Sequence, residues 1–149
     1  MLATEAHKSG LTRIKGPRKK IMLMWKLIFL AGAGGFLGSC LRFLVGRYIH
    51  WIAPAAQFPW GTFLVNIVGS LLIGLLYGLA ERHALTSPAM SALLITGFCG
   101  GLTTFSSLSD DLYLLLTNNQ GLLFVLYLSL TFALGLLMVF LGREIVAMH

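Results

Sequence analysis

The chain has 149 residues, 57% of them hydrophobic and 11% charged, with 17 glycines and a formal net charge of +6. A water-soluble domain devotes about a quarter of its residues to Asp, Glu, Lys and Arg, so a mean hydropathy of +0.85 describes a chain built for lipid. The whole positive surplus lies in residues 1–26, where Lys8, Arg13, Lys15, Arg18, Lys19, Lys20 and Lys26 face only Glu5; no basic face remains beyond them for a nucleic acid.

Residues 1–23 read as a basic, disordered extension, or as a segment that a start at Met22 or Met24 would omit; residues 24–149 read as one four-helix domain. A cleaved signal peptide does not fit, because the apolar stretch that follows is too long and lacks a small-residue cleavage site. That stretch, residues 27–46, holds Arg42 as its only charge. Pro54 and Pro59 mark a loop, with Tyr48, Trp51 and Trp60 placed as an aromatic belt. Residues 61–80 and 89–109 carry no charge, and residues 121–142 complete the set after a turn at Thr117-Asn118-Asn119-Gln120. An α-helix crosses a ~30 Å hydrocarbon core in about 20 residues, so four transmembrane helices follow. Both termini and the 81–88 loop share the Lys- and Arg-rich side, which predicts cytoplasmic termini; without the extension, Lys26, Arg82 and Arg143 against Arg47 leave a weak bias.

Gly34 and Gly38, and Gly74 and Gly78, form small-xxx-small pairs that let helices approach closely. With a bundle this small, they predict an oligomer. Cys40 and Cys99 read as small packing residues. No Ser-His-Asp set, zinc motif or P-loop appears, and the four histidines are scattered, so an enzyme is not expected.

Polar groups inside a span point to function, because each must find a partner in protein or in a wet path. On the second span Thr62, Asn66, Ser70 and Tyr77 form one polar stripe, with Asn66 either an interhelical hydrogen-bonding group or part of a path. The third span runs through Gly100-Gly101-Leu102-Thr103-Thr104-Phe105-Ser106-Ser107, a sequence poor at holding a regular helix. A break there frees backbone carbonyls, tolerated at membrane depth only where they line a cavity or hold an ion. Asp110 and Asp111 then read as the helix reaching the interface. Tyr127 and Thr131 share a face of the fourth span, and Arg42 either snorkels or draws anions into a vestibule.

Three segments carry a resemblance. Gly34-Gly35-Phe36-Leu37-Gly38-Ser39-Cys40-Leu41-Arg42-Phe43, Gly61-Thr62-Phe63-Leu64-Val65-Asn66-Ile67-Val68-Gly69-Ser70 and Gly97-Phe98-Cys99-Gly100-Gly101-Leu102-Thr103-Thr104-Phe105-Ser106 resemble the signatures of the CrcB/Fluc fluoride channels, over about residues 24–144. The resemblance implies an all-α, multi-pass protein of the cell (inner) membrane, an antiparallel dual-topology homodimer that lets fluoride leave the cytoplasm passively and so lowers its toxicity. It implies a structural sodium ion on the dimer axis, held by the carbonyls of Gly100 and Thr103 of each subunit. It further implies a fluoride pore in which Asn66, Thr104, Ser106 and Tyr127 supply hydrogen bonds and Phe105 an electropositive ring edge. Two departures stand out: Leu108 occupies the place of the family's second Phe, and the basic extension works against insertion in both orientations. A four-helix multidrug or cation exporter is the alternative, but such an exporter carries a carboxylate in its first span, and residues 27–46 have none. A non-transporting assembly factor would leave Asn66 and the broken span unexplained.

Overall fold

Proline at the first helical position has no amide bond to lose and a φ already suited to the turn, so helix α1 starts at Pro17 and continues to Ile52. The computed structural model describes residues 16–82 and 87–148 and is all-helical over its long elements. Helix α2 spans Trp60–Glu81. The third stretch is composite: α3 over Pro88–Met90, a π-helical segment over Ser91–Cys99 and α4 over Gly100–Leu102, followed by α5 over Phe105–Thr117. Helix α6 covers Gly121–Ala147. The stretches of 36, 22, 30 and 27 residues are each long and apolar enough to cross a membrane.

Several boundaries differ from the sequence reading: α1 runs on past residue 46 to Ile52 and α6 past residue 142 to Ala147. Helix α1 begins ten residues before Leu27, because Arg, Lys, Ile, Met and Leu between Pro17 and Lys26 all favour helix; at 1.5 Å per residue it reaches about 54 Å, well beyond the hydrocarbon thickness. Residues 17–23 of the basic extension are therefore helical, while residues 1–15 lie outside the described residues. The third stretch passes Asp110 and Asp111 and ends at Thr117, where Asn119 adopts φ 59° and the Gln120 amide returns to the Leu115 carbonyl at 2.8 Å.

Helix α1 packs on the π-helical segment, and α2 on α6. Both contacts are backbone on backbone. A methyl group at Gly34 or Gly38 would overlap the carbonyls of Leu93 and Phe98, and one at Gly74 would overlap that of Val139. These small-xxx-small pairs thus pack within one chain, and they lend no support to a second chain. The buried core at the α2, α5 and α6 contact contains Phe63, Leu108, Leu115 and Tyr127. Phe58 caps it, with edge-on ring contacts to Phe63 and Tyr127, both at 5.3 Å between centroids. Cys99 is buried as a packing residue, whereas Cys40 is exposed.

Candidate functional site

Between α4 and α5 the backbone of Thr103 (φ −76°, ψ 155°) and Thr104 (φ −152°, ψ 124°) is extended. Two residues cannot leave a helical ladder without stranding amides and carbonyls, so other groups must receive them. Asn66 on α2 does this from one side. Its Oδ1 accepts from the Thr104 amide at 2.8 Å, and its Nδ2 donates to the Thr104 carbonyl at 3.1 Å. From the other side Arg42 on α1 donates through Nε to the Gly101 carbonyl at 3.1 Å, joined by the Ser39 hydroxyl at 3.4 Å. The Thr104 hydroxyl caps α5 by accepting from the Ser107 amide at 3.2 Å, and it lies 3.1 Å from the Ser106 hydroxyl and 3.2 Å from that of Ser107.

Two cavities open on either side of this junction. One, of about 360 Å³, is lined by Ser39, Arg42, Arg47, Thr62, Thr104 and Ser107 among others, and is the more polar. The other, of about 410 Å³, is lined by Asn66, Ser70, Thr103, Thr104, Phe105 and Leu108 together with Thr131, Phe132 and further residues of α6. Thr104 alone borders both. Two guanidinium groups thus border the first cavity, hydroxyls stand at the junction, and the Phe105 ring borders the second.

The residues singled out from sequence divide accordingly. Asn66, Thr103, Thr104, Phe105 and Ser106 gather at the junction, with Gly100 one turn before it, and Arg42 lines the more polar cavity. Phe105 is 73% exposed, its ring standing off the surface of the single chain. Leu108 borders the same cavity but is otherwise buried at 4% exposure, so it serves the core as much as the groove. Tyr127 borders neither cavity. It is fully buried and donates to Asp111 Oδ2 at 3.0 Å, so its hydroxyl is spent on a carboxylate that also interacts with Thr62. Tyr77 leaves the polar stripe too; its ring lies under the Arg143 guanidinium at 5.5 Å, beside an Arg143–Glu81 ion pair.

Sequence reasoning did not single out Ser39, Arg47 and Ser107. Ser39 stands three residues before Arg42 on one helix face, and Ser107 stands three after Thr104, the spacing of a helix cap. Those spacings were the available signals. The π-helical segment had none, since it differs from an α-helix in its hydrogen-bond register and not in residue type.

The family profile described as CrcB-like protein, Camphor Resistance (CrcB), matches residues 29–143. A protein of Flavobacterium psychrophilum called fluoride-specific ion channel FluC is 45% identical over 117 residues, 78% of this chain and 94% of its own length. Its namesake in Rhizobium meliloti is 46% identical over 115 residues, 77% of this chain and 91% of its own. Another in Chlorobium chlorochromatii is 45% identical over 116 residues, 77% and 88% of the two chains. With four helices able to span a bilayer, a matching profile over most of its length and relatives of this identity, the chain belongs to the CrcB family of ion channels and is a multi-pass membrane protein, not an enzyme.

Proposed function

We propose that the chain is a fluoride-selective channel of the cell membrane, letting fluoride leave the cytoplasm down its gradient and so limiting its toxicity. The observation that carries this reading is the meeting of two cavities at Thr104, one edged by Arg42 and Arg47 and the other by Phe105. Fluoride holds its water strongly, so a path must offer replacement donors without a trap. Arginines at the mouth raise the local anion concentration without standing mid-path. The Thr104 and Ser106 hydroxyls then donate, and the ring edge of Phe105 meets the anion with its positive rim. The names and identities of the bacterial relatives support fluoride as the ion.

In this reading two copies assemble antiparallel, each exposed Phe105 facing the other copy, with a structural sodium ion between them. The donor set fits such an ion: the Thr104 amide is diverted to Asn66 and the Ser107 amide to the Thr104 hydroxyl. These are the amides that would otherwise engage the Gly100 and Thr103 carbonyls, and neutral hard oxygens suit a hard cation. The carbonyl oxygens of Gly100 and Thr103 would hold the ion, which would supply positive charge there. The residues of the chain do the rest, positioning backbone and supplying hydroxyls. Purified protein reconstituted in liposomes, loaded with potassium fluoride and opened with valinomycin, should release fluoride to an electrode and retain chloride in a parallel run. Release no faster than from empty liposomes overturns the proposal.

A further inference from the structure

Asn66 and Thr104 are drawn above as lining groups, yet their hydrogen bonds do something else. In a continuous helix the amide of Thr104 would bond the carbonyl of Gly100, and that of Ser107 the carbonyl of Thr103. Here the first amide goes to Asn66 Oδ1 at 2.8 Å and the second to Thr104 Oγ1 at 3.2 Å. The first diversion is reinforced, since Asn66 Nδ2 also holds the Thr104 carbonyl at 3.1 Å, fixing the backbone of that residue on both sides. The intervening Gly101 carbonyl is already taken by Arg42 Nε and the Ser39 hydroxyl. Of the oxygens at positions 100, 101 and 103, these side chains thus occupy one and strip the helical donor from the other two.

We propose that Asn66 and the Thr104 hydroxyl are positioning groups for a monovalent cation: by capturing the amides of Thr104 and Ser107 they keep the Gly100 and Thr103 carbonyls free as its ligands. The inference rests on the sodium site of the reading above and assigns two side chains that do not touch the ion the task of creating it. Losing either amide acceptor lets the backbone close a helical bond onto one of the two carbonyls. An oxygen that already accepts a short amide bond is a poorer ligand, so cation affinity falls while the fold survives. The effect expected is that of other groups that orient a metal's ligands, about 10–100-fold in affinity.

The test reads cation affinity, not flux. Full-length protein in detergent is heated in sodium chloride titrated against N-methyl-D-glucamine chloride at constant ionic strength, and the surviving monodisperse fraction gives a melting temperature at each sodium concentration. Wild type should melt higher as sodium rises. Thr104→Val, which keeps shape but not the acceptor, should need about 10–100-fold more sodium for half the rise, and Thr104→Ser, which restores the hydroxyl, should need the wild-type amount. A second pair guards against a valine variant that fails to fold. Asn66→Leu should lose sodium sensitivity, whereas Asn66→Asp keeps an acceptor for the Thr104 amide and should retain it even where fluoride no longer passes. Unchanged sodium dependence in Thr104→Val or Asn66→Leu overturns the inference. A wild type that conducts fluoride but melts independently of sodium overturns it while leaving the channel reading intact, and a wild type that conducts no fluoride overturns the latter.

Discussion

Leu108→Phe places an aromatic ring three residues after Phe105, and its outcome depends on which of two neighbours the ring meets. On one side Leu108 is packed in the core with Phe63, Leu115 and Tyr127. On the other it borders the cavity of about 410 Å³ that Phe105 also lines. Forcing extra volume into a filled core costs about 1–3 kcal/mol, but a rotamer directed into the cavity escapes most of that strain. The expected cost is therefore about 1 kcal/mol, a fall in melting temperature of about 2–4 °C for a chain of this size. Fluoride flux should stay within the same order of magnitude, since the ring adds an edge beside Phe105 without touching the Thr104 hydroxyl. Thermal stability by size exclusion and initial fluoride efflux from liposomes measure both quantities. A variant that no longer folds, or folds normally but blocks fluoride, would refute the idea that the cavity has room for an aromatic edge on that side.

Phe105→Ala and Asn66→Asp should each nearly abolish fluoride efflux in the same assay, the first by removing the aromatic ring next to Thr104 and the second by setting a carboxylate against the anion. Tyr127→Phe removes the buried donor to Asp111, and a loss of about 1–3 kcal/mol is expected in a denaturant or thermal titration, with assembly retained. Deleting residues 1–23 removes six of the seven cations that precede the first span, and a carboxy-terminal tag should then be labelled from both sides of the membrane, against mainly the cytoplasmic side for the full chain.

The spans and the cluster at the third one were legible in the sequence because burial in lipid leaves few alternatives for twenty apolar residues, and because glycines next to hydroxyl residues weaken a helix. Asn66 was legible as a polar group needing partners, but its two partners, both on the main chain of Thr104, lie 38 residues away and follow from packing alone. The Asp111 partner of Tyr127 escapes the sequence for a related reason. A tyrosine in a span demands an acceptor, and nothing in its periodicity said that Asp111, two residues beyond the apolar run on another helix, would supply it. The glycine pairs were read correctly as sites of close approach. Whether such an approach is made within a chain or between chains depends on loop lengths and topology, and here both partners of each pair belong to the same chain.

The glycine contacts also govern how this chain can change. Where a carbonyl of Leu93, Phe98 or Val139 occupies the space of a β-carbon, relief cannot come from a neighbouring rotamer, because the obstacle is main chain. Saturation mutagenesis selected for survival in fluoride should therefore divide the spans sharply: positions 34, 38 and 74 intolerant even of alanine, and outward positions such as Phe36, Leu122 and Phe140 exchangeable among apolar residues. In such a chain the seams set the limits of drift and the lipid-facing surface absorbs it, so two descendants could differ over most of their outward side chains and still superimpose at the junction.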